Sequence, residues 1–284
     1  MSTTSPAVPA AAPAAVPPAR HHVGFGHLMV AEWTKIRSVR STVWTLLLFV
    51  VLTVGFTALF TWLTASNWTS GNDAATRDAT IAANPVGFIL GAGIGLGQLT
   101  ICVLGVLVIT TEYSTGVIRS SLLAVPKRLP MLAAKATVFA VLIAIIAEIV
   151  AFACFFIGSA ILHSHVPVTI SDQNVLRAVL GAGLYLAVLG LFALSVGLLI
   201  RHTAAGVTTV IGIVLVLPIL SGLLPGNWGA HINAYLPEQA GSLVYSAHQT
   251  SDQLLSAWQG FGVFCLWTAV LLAVGAYLLQ RRDA

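Results

Sequence analysis

Charged residues are absent from long stretches of this chain. No Asp, Glu, Lys or Arg occurs in 41–72, 79–111, 178–200, 202–237 or 253–280, and 136–162 is interrupted only by Glu148. About 20 consecutive apolar residues make a helix long enough to cross a bilayer. The pattern predicts six spans, near 43–64, 86–110, 136–162, 178–200, 204–224 and 257–279. Trp44 and Trp62 bracket the first and suit the two aromatic belts of a membrane. Gly91, Gly93, Gly95 and Gly97 give the second two overlapping GxxxG spacings, which allow close helix contact in lipid. These glycines fall at every second position with no strand before them, so they do not form a dinucleotide fingerprint. Pro218 interrupts the fifth span.

The predicted fold class is all-α, a polytopic six-helix membrane protein. Residues 1–23 read as a separate Ala/Pro-rich tail that cannot bury enough apolar surface to fold. Residues 24–284 then form one membrane domain. Residues 24–40 recur at helical spacing, with Phe25, Leu28, Met29, Trp33 and Ile36 on one apolar face. Lys35, Arg37 and Arg40 supply charge, which suits a helix lying in the membrane interface. The connection 65–84 reads as a polar loop. The connection 111–134 is the most polar, and 114–125 could form a short helix parallel to the membrane.

Composition agrees with this reading. The chain has 284 residues, 57% hydrophobic and 8% charged, where soluble domains carry about 25% charged residues. Mean hydropathy is +0.93. The 13 Lys and Arg are distributed unevenly. Arg20, Lys35, Arg37, Arg40, Arg119, Lys127, Arg128, Lys135, Arg201, Arg281 and Arg282 fall on one side of the six-span layout. Arg77 and Arg177 fall on the other. The positive-inside rule places both termini in the cytoplasm. The net charge of +4 therefore belongs to span-flanking positions near lipid headgroups, not to a nucleic-acid surface. Cys102, Cys154 and Cys265 all lie in predicted spans, an odd number that argues against a disulfide framework. His163 and His165 form an HxH pair without further convincing metal ligands and read as wetted interfacial histidines.

Two polar features rise above a generic membrane protein. Glu148 is the one ionisable residue deep in a span, and intramembrane acids often mark transport pathways. It could contact a cation or proton, or simply hydrogen-bond a neighbouring helix, with Gln98 and Tyr185 as candidate partners. Glu112 closes the second span, where pairing with Arg119, Arg128 or Lys135 would hold the following loop.

Several of these features together resemble the permease subunits of ABC transporters of type 2. The segment Glu32-Trp33-Thr34-Lys35 matches an E-x-x-K "elbow" helix before the first span. Glu112, Gly116, Pro126, Arg128 and Lys135 match an E-x-x-x-G…P-x-R…K pattern in the first cytoplasmic loop. Tyr235, Leu236, Pro237 and Ala240 match a Y-L-P-x-x-A stretch before the last span. The resemblance covers about residues 24–282, and the tail lies outside it.

It implies that Glu112, Gly116, Val117, Arg119, Pro126 and Arg128 belong to a coupling helix docking on a nucleotide-binding subunit. It also implies that Tyr235, Pro237 and Glu238 lie in short outer helices closing an external gate. No GxxxxGK[ST] occurs, so an ATPase would have to be a separate chain. The resemblance thus implies no catalytic residue, bound cofactor or metal in this chain. It implies a second permease copy, giving a homodimer with two ATPase subunits. The Ala/Val/Gly-rich composition with many arginines suggests the plasma membrane of a bacterium. A stand-alone secondary transporter or channel using Glu148 is the alternative. An intramembrane enzyme finds no support, because neither GxSxG nor HExxH occurs.

Overall fold

The computed structural model describes residues 24–71, 74–116, 128–224, 227–248 and 253–281. The described residues form helices and contain no strand. An amphipathic helix, α1 (Phe25–Ser38), is followed after one extended residue, Val39, by α2 (Arg40–Ser66). Then come α3 (Ala74–Ala83), α4 (Pro85–Ser114), α5 (Arg128–Leu162) and α6 (Val175–Ile200). Helix α7 (Thr203–Gly222) contains a wider turn at Gly212–Val216. Two short helices, α8 (Asn227–Ala234) and α9 (Pro237–Ser242), lead through a 3₁₀ turn to α10 (Ala257–Arg281). Helices α2, α4, α5, α6, α7 and α10 are each long and apolar enough to cross a membrane, and the chain is read as a multi-pass membrane protein. The connection 65–84, expected as a polar loop, contains α3. Its Asp78 accepts from the Thr69 backbone N–H and pairs with Arg77, which ties the helix to the end of α2.

Helix α6 is the hub. Its most apolar window is 72% buried, against 17% for α2. It packs on α4, α5, α7 and α10, while α2 lies across α4 and α5. Small residues permit the close crossings. A Cβ on Gly105 of α4 would stand 2.6 Å from the carbonyl oxygen of Gly190 on α6. Only one of the two GxxxG spacings is used. Gly93 and Gly97 face Thr53 and Thr57 of α2, whereas Gly91 and Gly95 face open space. Phe49, Thr53, Thr57 and Thr61 form the buried four-residue stripe of α2. The threonine hydroxyls are satisfied within the bundle: Thr53 and Thr61 donate one turn back to Phe49 and Thr57, and Thr57 donates to Ile89 of α4. Without water, this internal satisfaction is what admits hydroxyls to a membrane interface.

The bulge in α7 has a local cause. Pro218 has no N–H and its ring crowds the preceding turn. The backbone widens ahead of it, and the Leu217 N–H reaches the Gly212 carbonyl five residues back. The Pro218 carbonyl accepts from Ser221 Oγ and from Asn233 of α8, and the latter fastens the far end of α7 to the short helices.

Candidate functional site

Seven of the structurally described basic residues, Lys35, Arg37, Arg40, Arg128, Lys135, Arg201 and Arg281, lie at one end of the bundle, called here the basic end. There α1 buries a seam of Leu28, Glu32 and Ile36. Of the expected apolar face, Leu28 and Ile36 pack inside the protein while Trp33 and Phe25 are both 47% exposed, and the acid Glu32 also takes a packed position. The spacing of four residues puts Glu32 directly against the start of α5.

Four charged side chains meet at this joint. Lys135 Nζ, 3% exposed, donates to Glu32 Oε2 at 2.5 Å and to Glu112 Oε1 at 2.7 Å. Lys35 donates to Glu32 Oε1 at 2.8 Å and to Glu112 Oε1 at 3.4 Å. Two acids and two bases thus join α1, the end of α4 and the start of α5, with formal charge summing to zero. Burial pushes the Glu32 carboxyl up, but Lys135 and then Lys35 more than offset it and hold it below its ordinary value. Burial also opposes the charge on Lys35, and its bonds to Glu32 and Glu112 outweigh that and raise it.

Lys135 is one of the three partners that the sequence offered for Glu112. Arg128, another candidate partner for Glu112, instead donates to the Leu279 carbonyl near the end of α10 at 2.7 Å. The sequence reading missed that Glu32 and Lys35 join the same cluster. Gly116 ends the described part of the loop in the left-handed region at φ 71°. Val117, Arg119 and Pro126, with most of the expected 114–125 helix, lie outside the described residues, as does the 1–23 tail. Beside the cluster, Arg201 adopts φ 58° at the α6–α7 turn and stacks its guanidinium 4.9 Å from the Tyr113 ring centroid.

At the far end, α9, the 3₁₀ turn and the start of α10 form a folded hairpin over α6. A Cβ on Gly181 of α6 would stand 2.5 Å from the Val244 carbonyl oxygen, so the hairpin backbone rests on the helix. Arg177 donates to the carbonyls of Val244 and Ser246 at 3.3 and 2.9 Å. Asn84, which caps α4, donates to the Ser246 hydroxyl. Tyr245 meets Tyr185 edge-on, and Phe264 continues the aromatic cluster. Of the expected gate residues, Pro237 is buried at the start of α9. Tyr235 is 48% exposed, and its carbonyl accepts from Trp267 Nε1. Glu238 is half-buried in the first turn of α9, and loss of solvent pushes its carboxyl up to about 7.

Glu148 lies on α5, halfway between these ends. Its carboxyl packs against Gly183 of α6, with Oε1 2.6 Å from where a Cβ would stand. Its expected partners are engaged with each other: the Tyr185 hydroxyl donates to Gln98 Oε1 at 2.7 Å. Glu148 Oε2 is buried without a hydrogen-bond partner among the described residues. His163 and His165 are exposed, and His165 stacks on Trp68 with ring centroids 4.7 Å apart.

No protein-family model matches this chain, and no curated protein matches it. The functional reading therefore rests on residues and geometry.

Proposed function

We propose that this chain is the permease subunit of an ATP-driven exporter of the ABC type-2 kind, forming half of a translocation pathway and coupled to a separate ATPase. The observation that carries this reading is the charged joint at the basic end. Glu112 stands five positions before residues 117–127, and Lys135 eight positions after them. Both ends of that segment are bonded to each other and to α1. A subunit docking there would move α1, α4 and α5 as one body. Helix α4 packs along α6, which carries the far-end hairpin. A displacement at one end thus has a continuous packed route to the other. Rigid elements with two arrangements are the physical basis of such coupling.

In this reading the basic end faces the cytoplasm of a bacterial cell, as the positive-inside rule requires. Val117, Arg119, Pro126 and Arg128 contact the ATPase. The hairpin with Tyr235, Pro237 and Glu238 closes the pathway outside. A second copy of the chain supplies the other half of the pathway. ATP binding and hydrolysis belong to the partner, because this sequence has no phosphate-cradling loop motif. A second reading, a stand-alone transporter, is favoured by one observation: the buried, partnerless Glu148 Oε2.

The test is purification of the tagged protein from its native membrane, with ATP hydrolysis assayed on the eluate. A co-purifying P-loop ATPase, released by Arg119→Glu, supports the permease reading. A pure oligomer that transports without any ATPase sinks it and leaves Glu148 as the residue to mutate.

A further inference from the structure

A half-open cavity of about 490 Å³ lies between α1, the first turn of α2, the last turns of α4 and Lys135. Its size falls within the roughly 300–1,000 Å³ of small-molecule sites. The lining is divided. Leu104, Leu107 and Val108 of α4 make an apolar wall. Glu32, Lys35, Glu112 and Lys135 make a charged end, and the hydroxyls of Ser38, Ser41 and Thr115 complete it. The cavity sits where a headgroup layer would meet the acyl region, at the junction of an interfacial helix and three spans.

Charge selects the occupant. The charged end carries both signs and sums to zero, so a purely anionic headgroup would meet Glu32 and Glu112 as well as the lysines. Three of the four carboxylate oxygens are engaged by lysines. Glu112 Oε2 is buried without a partner among the described residues, in a side chain that lines the cavity. A buried acceptor left without a donor is costly. The carboxylate torsion of Glu is soft, so a small rotation turns Oε2 toward the cavity while Oε1 stays with Lys135. What would satisfy it is an N–H donor bearing positive charge. The Lys35 ammonium, 36% exposed in its side chain and bonded to Glu32 and Glu112, sets positive charge at the cavity rim, and the Ser41 hydroxyl offers a donor to a phosphate on the same ligand. A charge-assisted hydrogen bond at the ammonium, with the Lys35 charge beside the phosphate, fixes orientation as well as affinity.

We infer that this cavity binds the headgroup and glycerol of a zwitterionic glycerophospholipid carrying a primary ammonium, drawn from the leaflet at the basic end. The ammonium donates to Glu112 Oε2, the phosphate lies beside the Lys35 charge and accepts from the Ser41 hydroxyl, and the first acyl carbons lie on Leu104, Leu107 and Val108. A choline headgroup has no N–H to donate, and a glycerol headgroup brings no cation. The order of preference is therefore phosphatidylethanolamine, then phosphatidylcholine, then phosphatidylglycerol.

The experiment is native mass spectrometry of the full-length protein in detergent, titrated with each of these three lipids. The expected result is one tightly retained phosphatidylethanolamine per chain, bound about tenfold more tightly than the other two, the effect of one charged hydrogen bond. Thr111→Phe, at an exposed position on the cavity wall, removes that lipid without lowering the unfolding temperature. Glu112→Gln brings phosphatidylethanolamine and phosphatidylcholine to within about twofold. A headgroup-diazirine phosphatidylethanolamine crosslinks to peptides spanning 38–42 and 107–115. Equal retention of all three lipids overturns the inference. So does a tight lipid that persists in Thr111→Phe. If Glu112→Gln does not fold, the Thr111→Phe titration and the crosslink map decide alone.

Discussion

Replacing Lys135 by methionine keeps most of the side chain's volume and removes its charge. The loss is large because Lys135 is the buried centre of the joint, 3% exposed and bonded to two carboxylates at 2.5 and 2.7 Å. Without it, Glu32 and Glu112 share only Lys35, which is 36% exposed and 3.4 Å from Glu112. Removing one partner of a buried ion pair costs about 3–5 kcal/mol, chiefly because the opposite charge stays buried and uncompensated. At about 2–4 °C per kcal/mol, Lys135→Met should lower the unfolding temperature of the detergent-solubilised protein by roughly 6–20 °C. Heating followed by size-exclusion chromatography of a fluorescent fusion reads this directly. Neutralising the three buried members with Glu32→Gln, Glu112→Gln and Lys135→Met, which leaves only the 36% exposed Lys35 charged, should recover most of the loss, because replacing a complete buried set of charges is close to neutral. A Lys135→Met shift under about 2 °C, or no recovery in the triple variant, refutes the argument that these charges are mutually dependent. The sign with pH follows from Glu32. Its folded value is depressed, so its contribution is complete above the ordinary carboxylate value of 4.5 and is lost as pH falls through the folded value.

Two further outcomes test other parts of the fold. Glu238 is raised to about 7 in the folded hairpin, so the folded state holds its proton where the unfolded chain releases it. Stability should therefore fall as pH rises from about 4.5 to about 7, by on the order of 1–3 kcal/mol. Glu238→Gln should flatten that dependence in the same thermal assay, and an unchanged pH profile contradicts the burial. On α4, Gly97→Val forces a side chain into Thr53 of α2 and should destabilise by about 1–3 kcal/mol or more. A Cβ at Gly95 meets nothing within 4 Å, so Gly95→Val should stay within about 0.5 kcal/mol. Equal effects at the two positions would mean that α2 does not pack where the structure places it.

The sequence by itself determined the number and places of the spans, because bilayer thickness translates directly into a run of apolar residues. It also determined the charge asymmetry of the two ends and the exceptional status of Glu112 and Glu148. It did not determine which polar groups meet. Glu32 lies 103 positions from Lys135, and Lys35 lies 77 from Glu112. No local spacing records a pairing across that distance. The seam of α1 was not legible for a related reason. Apolar periodicity does not show that a buried ion network lets the acid Glu32 occupy a packed position while the Trp33 indole stays exposed. The four alternating glycines of α4 were equivalent in sequence. Only the docking of α2, with its threonines at every fourth position, made Gly93 and Gly97 contact residues and left Gly91 and Gly95 open. Likewise Gln98 and Tyr185 had the chemistry to hold Glu148, yet the approach of α6 to α4 gave them to each other. Hydrophobic patterning acts along one helix at a time and can be read residue by residue. Hydrogen bonds and ion pairs in a membrane bundle are decided where helices cross, and those crossings exist only in three dimensions.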